Sequence, residues 1–283
     1  MKPMHRQGLA AMLAVLPWAA LGQSTFPIWG AEAEARGYEL PRPFGVTLSA
    51  MHIDQPLIID DIKLTDPTGV LQQLVAVQGD MAEQDSQTYT LRADMWLFPF
   101  LNLYALVGYT EGTSEAQVDA FVAGAPLPVN PIDFPLDFNG TTFGGGATLA
   151  YGIGNWFAAI DTNYTFTDLN IIDGEIEAFV AAPRVGYRWP DGVHEYRLWV
   201  GAMYQDVDQL FQGSLSNLGL GGQLGELLET VAPNGRFEVR QHLVEPWNGL
   251  IGAMYVYDRR WEFILEGGLG DRESVFLSTG YRF

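Results

Sequence analysis

The sequence predicts an all-β chain: an antiparallel up-and-down β-barrel of about ten strands (8–12), with long loops at one end. Three observations predict it. Apolar and polar residues alternate with period two over stretches of about ten residues, as a strand with one greasy and one wet face requires. Turn signals separate the stretches, and short connections alternate with long ones. Bulky aromatic residues recur at a fixed spacing on successive strands.

The elements follow in order from residue 44. In Phe44–Asp54, Val46, Leu48 and Ala50 share a face with Phe44, opposite Thr47 and Ser49. In Gln87–Leu97, Tyr89, Leu91, Ala93, Met95 and Leu97 oppose Thr88, Thr90, Arg92, Asp94 and Trp96. Phe98-Pro-Phe100 turns the chain, because proline cannot continue a hydrogen-bonded ladder. Leu101–Thr110 returns with Leu101, Leu103, Ala105, Val107 and Tyr109 on the apolar face. Thr142–Tyr151 and Trp156–Asp168 flank Gly152-Ile-Gly-Asn155. Glu175–Arg188 and His194–Val207 flank Trp189-Pro-Asp-Gly192, where proline sets φ and glycine admits the left-handed region. Trp247–Tyr257 and Trp261–Gly270 flank Asp258-Arg-Arg260, and Glu273–Phe283 closes the chain. Gln55–Ser86, Glu111–Gly140 and Asp208–Pro246 read as long loops. Within the last, Leu215–Val231 spaces its leucines like a short amphipathic helix, and Arg236–Leu243 alternates like a strand extension.

In the closing strand Val275, Leu277, Thr279, Tyr281 and Phe283 lie on one face. Ser274, Ser278, Gly280 and Arg282 lie on the other, with Phe276 the one bulky exception. This ending resembles the last strand of bacterial, Gram-negative outer-membrane β-barrel proteins, in which a terminal aromatic residue and alternating apolar positions form an assembly signal. On that resemblance Tyr281 and Phe283 are the residues read by the barrel-assembly machinery. The short turns then face the periplasm and the long loops face outward.

Aromatic spacing agrees with a membrane belt. Phe143 and Tyr151, Trp156 and Tyr164, Phe179 and Tyr187, and Tyr196 and Tyr204 each sit eight residues apart with the same parity. Eight residues at roughly 3.3 Å span about 26 Å along a strand. At a tilt of about 40° the height is roughly 20 Å, close to the apolar band of an outer membrane. Two interfacial girdles account for this pattern.

The remaining sequence bounds the class. Lys2 and Arg6, the apolar run Leu9–Leu16 and the small residues of Ala20-Leu-Gly22 read as a secretory signal over residues 1–22. Residues 23–43 read as a periplasmic leader and residues 44–283 as the barrel. The chain has no cysteine, so disulfides and thiolate chemistry are excluded. The net charge is −19, and about −21 without the signal's two cations, which disfavours nucleic acid as a partner. A mean hydropathy close to zero fits a barrel that is apolar outside and polar inside.

With the apolar face outward, Arg92, Asp94, Asp161, Asn163, Arg184, Arg197, Glu262, Glu266 and Arg282 face the lumen. Buried charges must be paired or hydrated, and both signs are present, so the expectation is a lumen largely filled by ion pairs. A solute pathway would instead show one dominant sign at a constriction. Gly144-Gly-Gly146 lacks the ending of a phosphate-binding loop, and glycines on the lumen face would admit bulky neighbours. The acidic residues Asp60, Asp61, Asp66, Asp119, Asp133, Asp137, Asp206 and Asp208 show no spacing of a calcium loop. No cofactor or metal motif is present. The histidines His52 and His242, with Ser49 or Ser214, are the one conceivable catalytic set, because His194 falls at the periplasmic end. These readings predict an integral outer-membrane barrel with a structural, adhesive or limited passive-transport role, surrounded by lipid and lipopolysaccharide. The alternatives are a lipid-modifying barrel enzyme and a soluble periplasmic barrel that binds an apolar ligand. Nothing in the sequence sets an oligomeric state.

Overall fold

The computed structural model describes residues 26–126, 131–170, 173–218 and 232–283. The expected signal, residues 1–22, lies outside them. The elements are α1 (Gly30–Ala35), β1 (Phe44–Thr65), α2 (Val70–Leu74), β2 (Val75–Gln78), β3 (Met81–Phe98), β4 (Leu101–Val122) and β5 (Ala125–Pro126). They continue with β6 (Ile132–Ile153), β7 (Trp156–Leu169), β8 (Asp173–Asp191), β9 (His194–Ser214), β10 (Arg236–Leu243), β11 (Trp247–Tyr257), β12 (Trp261–Leu269) and β13 (Glu273–Arg282). No helix among the described residues is long and apolar enough to cross a membrane.

Ten strands close a ring in the order β1, β3, β4, β6, β7, β8, β9, β11, β12, β13. The seam is β1, whose residues Gly45–Asp54 pair with β13 on one side while Phe44–Ile58 pair with β3 on the other. Phe44 and Phe283 exchange backbone hydrogen bonds of 3.2 and 3.0 Å at the periplasmic end of that seam. Closure satisfies every neighbour's backbone groups, the one way a sheet can stand in hydrocarbon. The periplasmic turns are short. Gly192, with φ of 63°, turns β8 into β9 in the left-handed region that glycine adopts without a Cβ penalty.

Strand continues where long loops were expected. β1 runs on to Thr65, β3 begins at Met81, β4 reaches Val122, β6 begins at Ile132 and β9 reaches Ser214. The first two segments read as loops are therefore largely ladder, and the third is ladder over 208–214 and 236–243. Arg236–Leu243 is a strand in its own right. β10 pairs with the outer part of β1 (Leu57↔Leu243 to Thr65↔Arg236) and with the outer part of β9 (Arg236↔Ser214 to His242↔Asp208). It stands above the shorter β11, β12 and β13, replacing three strands by one. The expected helix over 215–231 is a 3₁₀ turn at Leu215–Leu218, and residues 219–231 fall outside the described residues.

The two storeys have opposite polarity. In the lower storey the outward positions are apolar: Val46, Leu48, Leu91, Leu103, Val107, Leu198, Val200, Leu265 and Leu277 are all exposed. The outward positions then turn polar within two residues of the outer girdle. Tyr89 gives way to Gln87, Tyr109 to Glu111, Phe179 to Glu177 and Tyr204 to Asp206. Over the same step the inward face turns apolar. Leu57, Leu71, Leu136, Val118, Phe134, Phe138, Phe211, Phe237 and Val239 form one buried cluster inside the upper storey. Phe134 meets Phe237 edge-on at 6.3 Å, and Phe138 lies 5.4 Å from Phe211. One set of strands thus carries two outer surfaces, apolar below and polar above.

Candidate functional site: the barrel lumen

From the periplasm outward the lumen has three layers. The first is ionic. Arg282, near the end of β13, donates to Asp94 of β3 at 2.6 Å and to Glu262 of β12 at 3.1 Å. Asn102 donates to Asp94 at 2.6 Å and accepts from Arg92 at 3.0 Å. Arg92 lies 3.6 Å above the Tyr104 ring and 3.9 Å from Asp161. Asp161 accepts from the Tyr104 hydroxyl at 2.7 Å and from Thr148. Across the ring Arg184 holds Glu266 bidentately at 2.6 and 2.7 Å, and Trp199 donates to the same carboxylate at 2.6 Å. At the periplasmic rim Arg197 bonds Glu195, which also lies 3.5 Å from Arg188. Five guanidinium groups (Arg92, Arg184, Arg188, Arg197, Arg282) therefore face five carboxylates (Asp94, Asp161, Glu195, Glu262, Glu266), and the layer carries no net sign.

Two glycines make this layer possible. A Cβ on Gly146 would fall 2.7 Å from the Tyr104 hydroxyl, and one on Gly252 would fall 2.4 Å from the Trp199 indole. Both aromatic rings occupy lumen space that any larger residue would take.

The second layer is neutral and hydroxylic. Thr88, Thr110, Thr142 and Thr167 stand on β3, β4, β6 and β7, and their hydroxyls are joined at 3.0, 2.7 and 2.8 Å. Each precedes or follows an outward girdle aromatic: Tyr89, Tyr109, Phe143 and Phe166. Ser49 and Thr90 share a further bond at 2.6 Å. Toward the outside Gln55, Gln84, Gln205, Gln209 and Gln241 are buried, and Ser114 reaches Gln241 at 3.1 Å. Arg272, in the turn between β12 and β13, is buried under β10. It donates to the carbonyls of Glu245 and Pro246 at 3.5 and 3.4 Å, and burial pushes its pKa down. It ties the β10–β11 connection to the ring. The third layer is the apolar cluster of the upper storey.

The predicted lumen residues all lie on the inward parity, in three groups. Arg92, Asp94, Asp161, Glu262 and Arg282 fall in one, Arg184 and Glu266 in another, and Arg197 pairs with Glu195, which the sequence reading did not single out. Tyr104, Asn102, Trp199 and Arg188 were also missed. Their parity was the available signal, since each stands on the face opposite its strand's lipid-facing residues. The girdle residues point outward: Phe143, Tyr151, Trp156, Tyr164, Phe179 and Tyr196 are exposed, and Tyr187 and Tyr204 are half-buried against Trp156 and Trp247. Tyr281 packs on Trp261 at 4.9 Å and on Phe283 at 6.3 Å at the periplasmic edge.

The conceivable catalytic set does not assemble. Ser49 faces the lumen while His52 faces outward beside Asp85 at 3.5 Å. His242 binds Asp60 at 2.8 Å, and Ser214 bonds Ser216 at 2.8 Å. Among the described residues no group of three or more His, Asp or Glu side chains is placed to hold a metal ion.

A closed ring, an apolar outer belt bounded by aromatics and a lumen of paired charges give the chain the architecture of a membrane-spanning β-barrel. No protein-family model and no curated protein matches the sequence. Solved outer-membrane barrels do match in overall course. One is the outer membrane protein OprG from Pseudomonas aeruginosa, 14% identical, with 86% of this chain and 97% of that chain covered and a TM-score of 0.36. Another is the translocator domain of the autotransporter NalP from Neisseria meningitidis, 10% identical, covering 90% and 95%, TM-score 0.38. A third is the toluene transporter TbuX from Ralstonia pickettii, 11% identical, covering 87% and 90%, TM-score 0.31.

Proposed function

We propose that this barrel has a structural or adhesive role, with a lumen that conducts no solute, and that it presents a rigid, acidic-walled platform above the membrane. The observation that carries this reading is the apolar cluster of the upper storey. Phe134, Phe138, Phe211 and Phe237 are each no more than 4% exposed and occupy the axis above the ionic layer. Ions and polar solutes would have to cross a dry hydrocarbon layer, which costs far more than a hydrated path. The ionic layer adds to the block, since its charges are paired across strands and present no single sign. His52 and His242 bond to Asp85 and Asp60, while Ser49 and Ser214 bond to Thr90 and Ser216, an arrangement that supports a non-enzymatic role. On this reading residues 1–22 direct export, Tyr281 and Phe283 are read during assembly, and lipid and lipopolysaccharide surround the belt.

Reconstitution in planar bilayers tests the proposal. The expected trace shows no discrete steps at high protein load in molar salt. Reproducible unitary steps from the purified, heat-modifiable barrel would overturn it in favour of limited passive transport.

A further inference from the structure

The segment before the first strand lies against the periplasmic mouth. Its start is fixed at β3, where the Ile28 amide donates to the Leu97 carbonyl at 2.9 Å. Trp29 lies 4.8 Å from Phe98 and 6.5 Å from Phe100, at the β3–β4 turn. Its end is fixed at the seam, where Trp96 donates to the Pro43 carbonyl at 2.8 Å and Phe44 enters β1. Between these points α1 turns the chain, and Glu39 reaches elsewhere. Its carboxylate lies 3.8 Å from Arg188 of β8 and 3.4 Å from Arg259 in the β11–β12 turn. In the ring β8 is five strands from β1 in either direction, so it stands on the opposite wall. A chain anchored at β1 and β3 that bonds to β8 must pass beneath the opening.

We propose that residues 26–43 form a strap that closes the periplasmic mouth, latched at Glu39 to the opposite rim. The strap joins the ionic layer directly, because Arg188 is shared between Glu39 and the luminal Glu195. Its fixed side is aromatic and its free side is held by solvent-exposed ion pairs, which individually stabilise little. The strap therefore opens at Glu39 while Trp29 stays in place. It rests on the orientation of the barrel but not on a sealed lumen, because it governs access from the periplasmic side only.

The chain has no cysteine, so single substitutions report cleanly. Thr47 faces the lumen near the periplasmic end, beside Gly280 of β13. In reconstituted full-length protein, Thr47→Cys should react slowly with a membrane-impermeant maleimide added on the periplasmic side. Adding Glu39→Gln and Trp29→Ala should accelerate labelling by about tenfold or more, the signature of a lost local barrier. Equal rates with and without those two substitutions overturn the proposal. A second variant, Glu39→Cys with Arg188→Cys, keeps the aromatic anchor and should cross-link in high yield with a short bifunctional maleimide. Failure to cross-link also overturns it. Unitary conductance seen in the unlatched protein and not in the parent would support the strap while refuting the sealed lumen.

Discussion

Removing the Arg282 guanidinium tests the ionic layer most directly. Its side chain is 6% exposed and that of Asp94 is 3% exposed, with 2.6 Å between their charged atoms. At that distance and an effective dielectric of about 20, the pair attracts by about 6 kcal/mol, most of which offsets the loss of hydration of both ions. Glu262 shares the same guanidinium at 3.1 Å. Arg282→Met therefore leaves two carboxylates facing each other across the seam with no cation between them. The expected loss is about 3–5 kcal/mol. With a urea slope of about 2 kcal/mol/M the unfolding midpoint falls by about 2 M. The assay is urea unfolding of the purified protein refolded into detergent or lipid, followed by heat-modifiability on gels, so that no assembly factor takes part. Arg282→Met combined with Asp94→Asn and Glu262→Gln removes the stranded charges and should recover most of the loss. A single-variant loss below about 1 kcal/mol, the value of a hydrated surface pair, would show that water fills this layer. That result would refute the packed-lumen argument.

Three further outcomes follow from the two-storey arrangement. Leu103→Arg, facing lipid at mid-height, should cost about 2–4 kcal/mol, whereas Thr113→Arg, on the same face of β4 but above Tyr109, should be close to neutral; refolding titrations of both would locate the membrane boundary. Phe211→Ala removes the largest fully buried side chain and should cost about 3–5 kcal/mol, read as earlier protease cleavage of the upper storey. The Asp66 carboxyl is held below its ordinary range, first by the Thr68 hydroxyl and then by backbone donors including the Leu71 amide at 2.9 Å. A depressed carboxylate stabilises above its unfolded pKa and loses that contribution as pH falls through the folded value, so the protection factor of the Leu71 amide, corrected for intrinsic exchange, should fall below about pH 4, and Asp66→Asn should abolish that fall.

The lower storey was legible because its alternation is uninterrupted and its turns are short. Val46, Leu48 and Ala50 on β1, or Leu101 to Tyr109 on β4, keep one parity from end to end. The upper storey was not, because the apolar parity flips inside a continuous strand. On β4 the apolar positions are odd up to Tyr109 and even from Ala116 to Ala120. On β6 they are even at Phe134, Leu136 and Phe138 and odd from Phe143 onward. On β9 they are even through Tyr204 and odd at Val207 and Phe211. A reader who holds one face to be lipid-facing meets the flip as the end of the strand, and the acidic outward residues complete the appearance of a loop. On β1 the irregularity between Ile59 and Asp61 shifts the register again. The ionic residues were legible as a set because they share the inward parity. Their pairing was not, because Arg282 meets Asp94 across the seam between the first and last parts of the chain.

The parity flip also explains why β11, β12 and β13 are short. Those strands carry apolar outward residues up to Trp247, Leu269 and Val275 and have no inward apolar run beyond them. Extended upward, they would add strand without adding to the core. β10 instead brings Phe237, Val239 and Leu243 inward, all buried, while Arg236, Glu238 and Arg240 face water. One strand with the upper storey's parity closes the gap that three with the lower storey's parity would leave open. The junction carries polar groups on its inner side at the foot of β10, where the strands beneath end and the Pro246 carbonyl accepts from the Gln205 amide at 2.9 Å. Arg272 fills that position, donating to Glu245 and Pro246, and Asn248 returns a bond of 2.6 Å to the Arg272 carbonyl. Among the described residues the Arg272 guanidinium has no carboxylate within 4 Å, and the Glu245 and Pro246 carbonyls hold it at the junction.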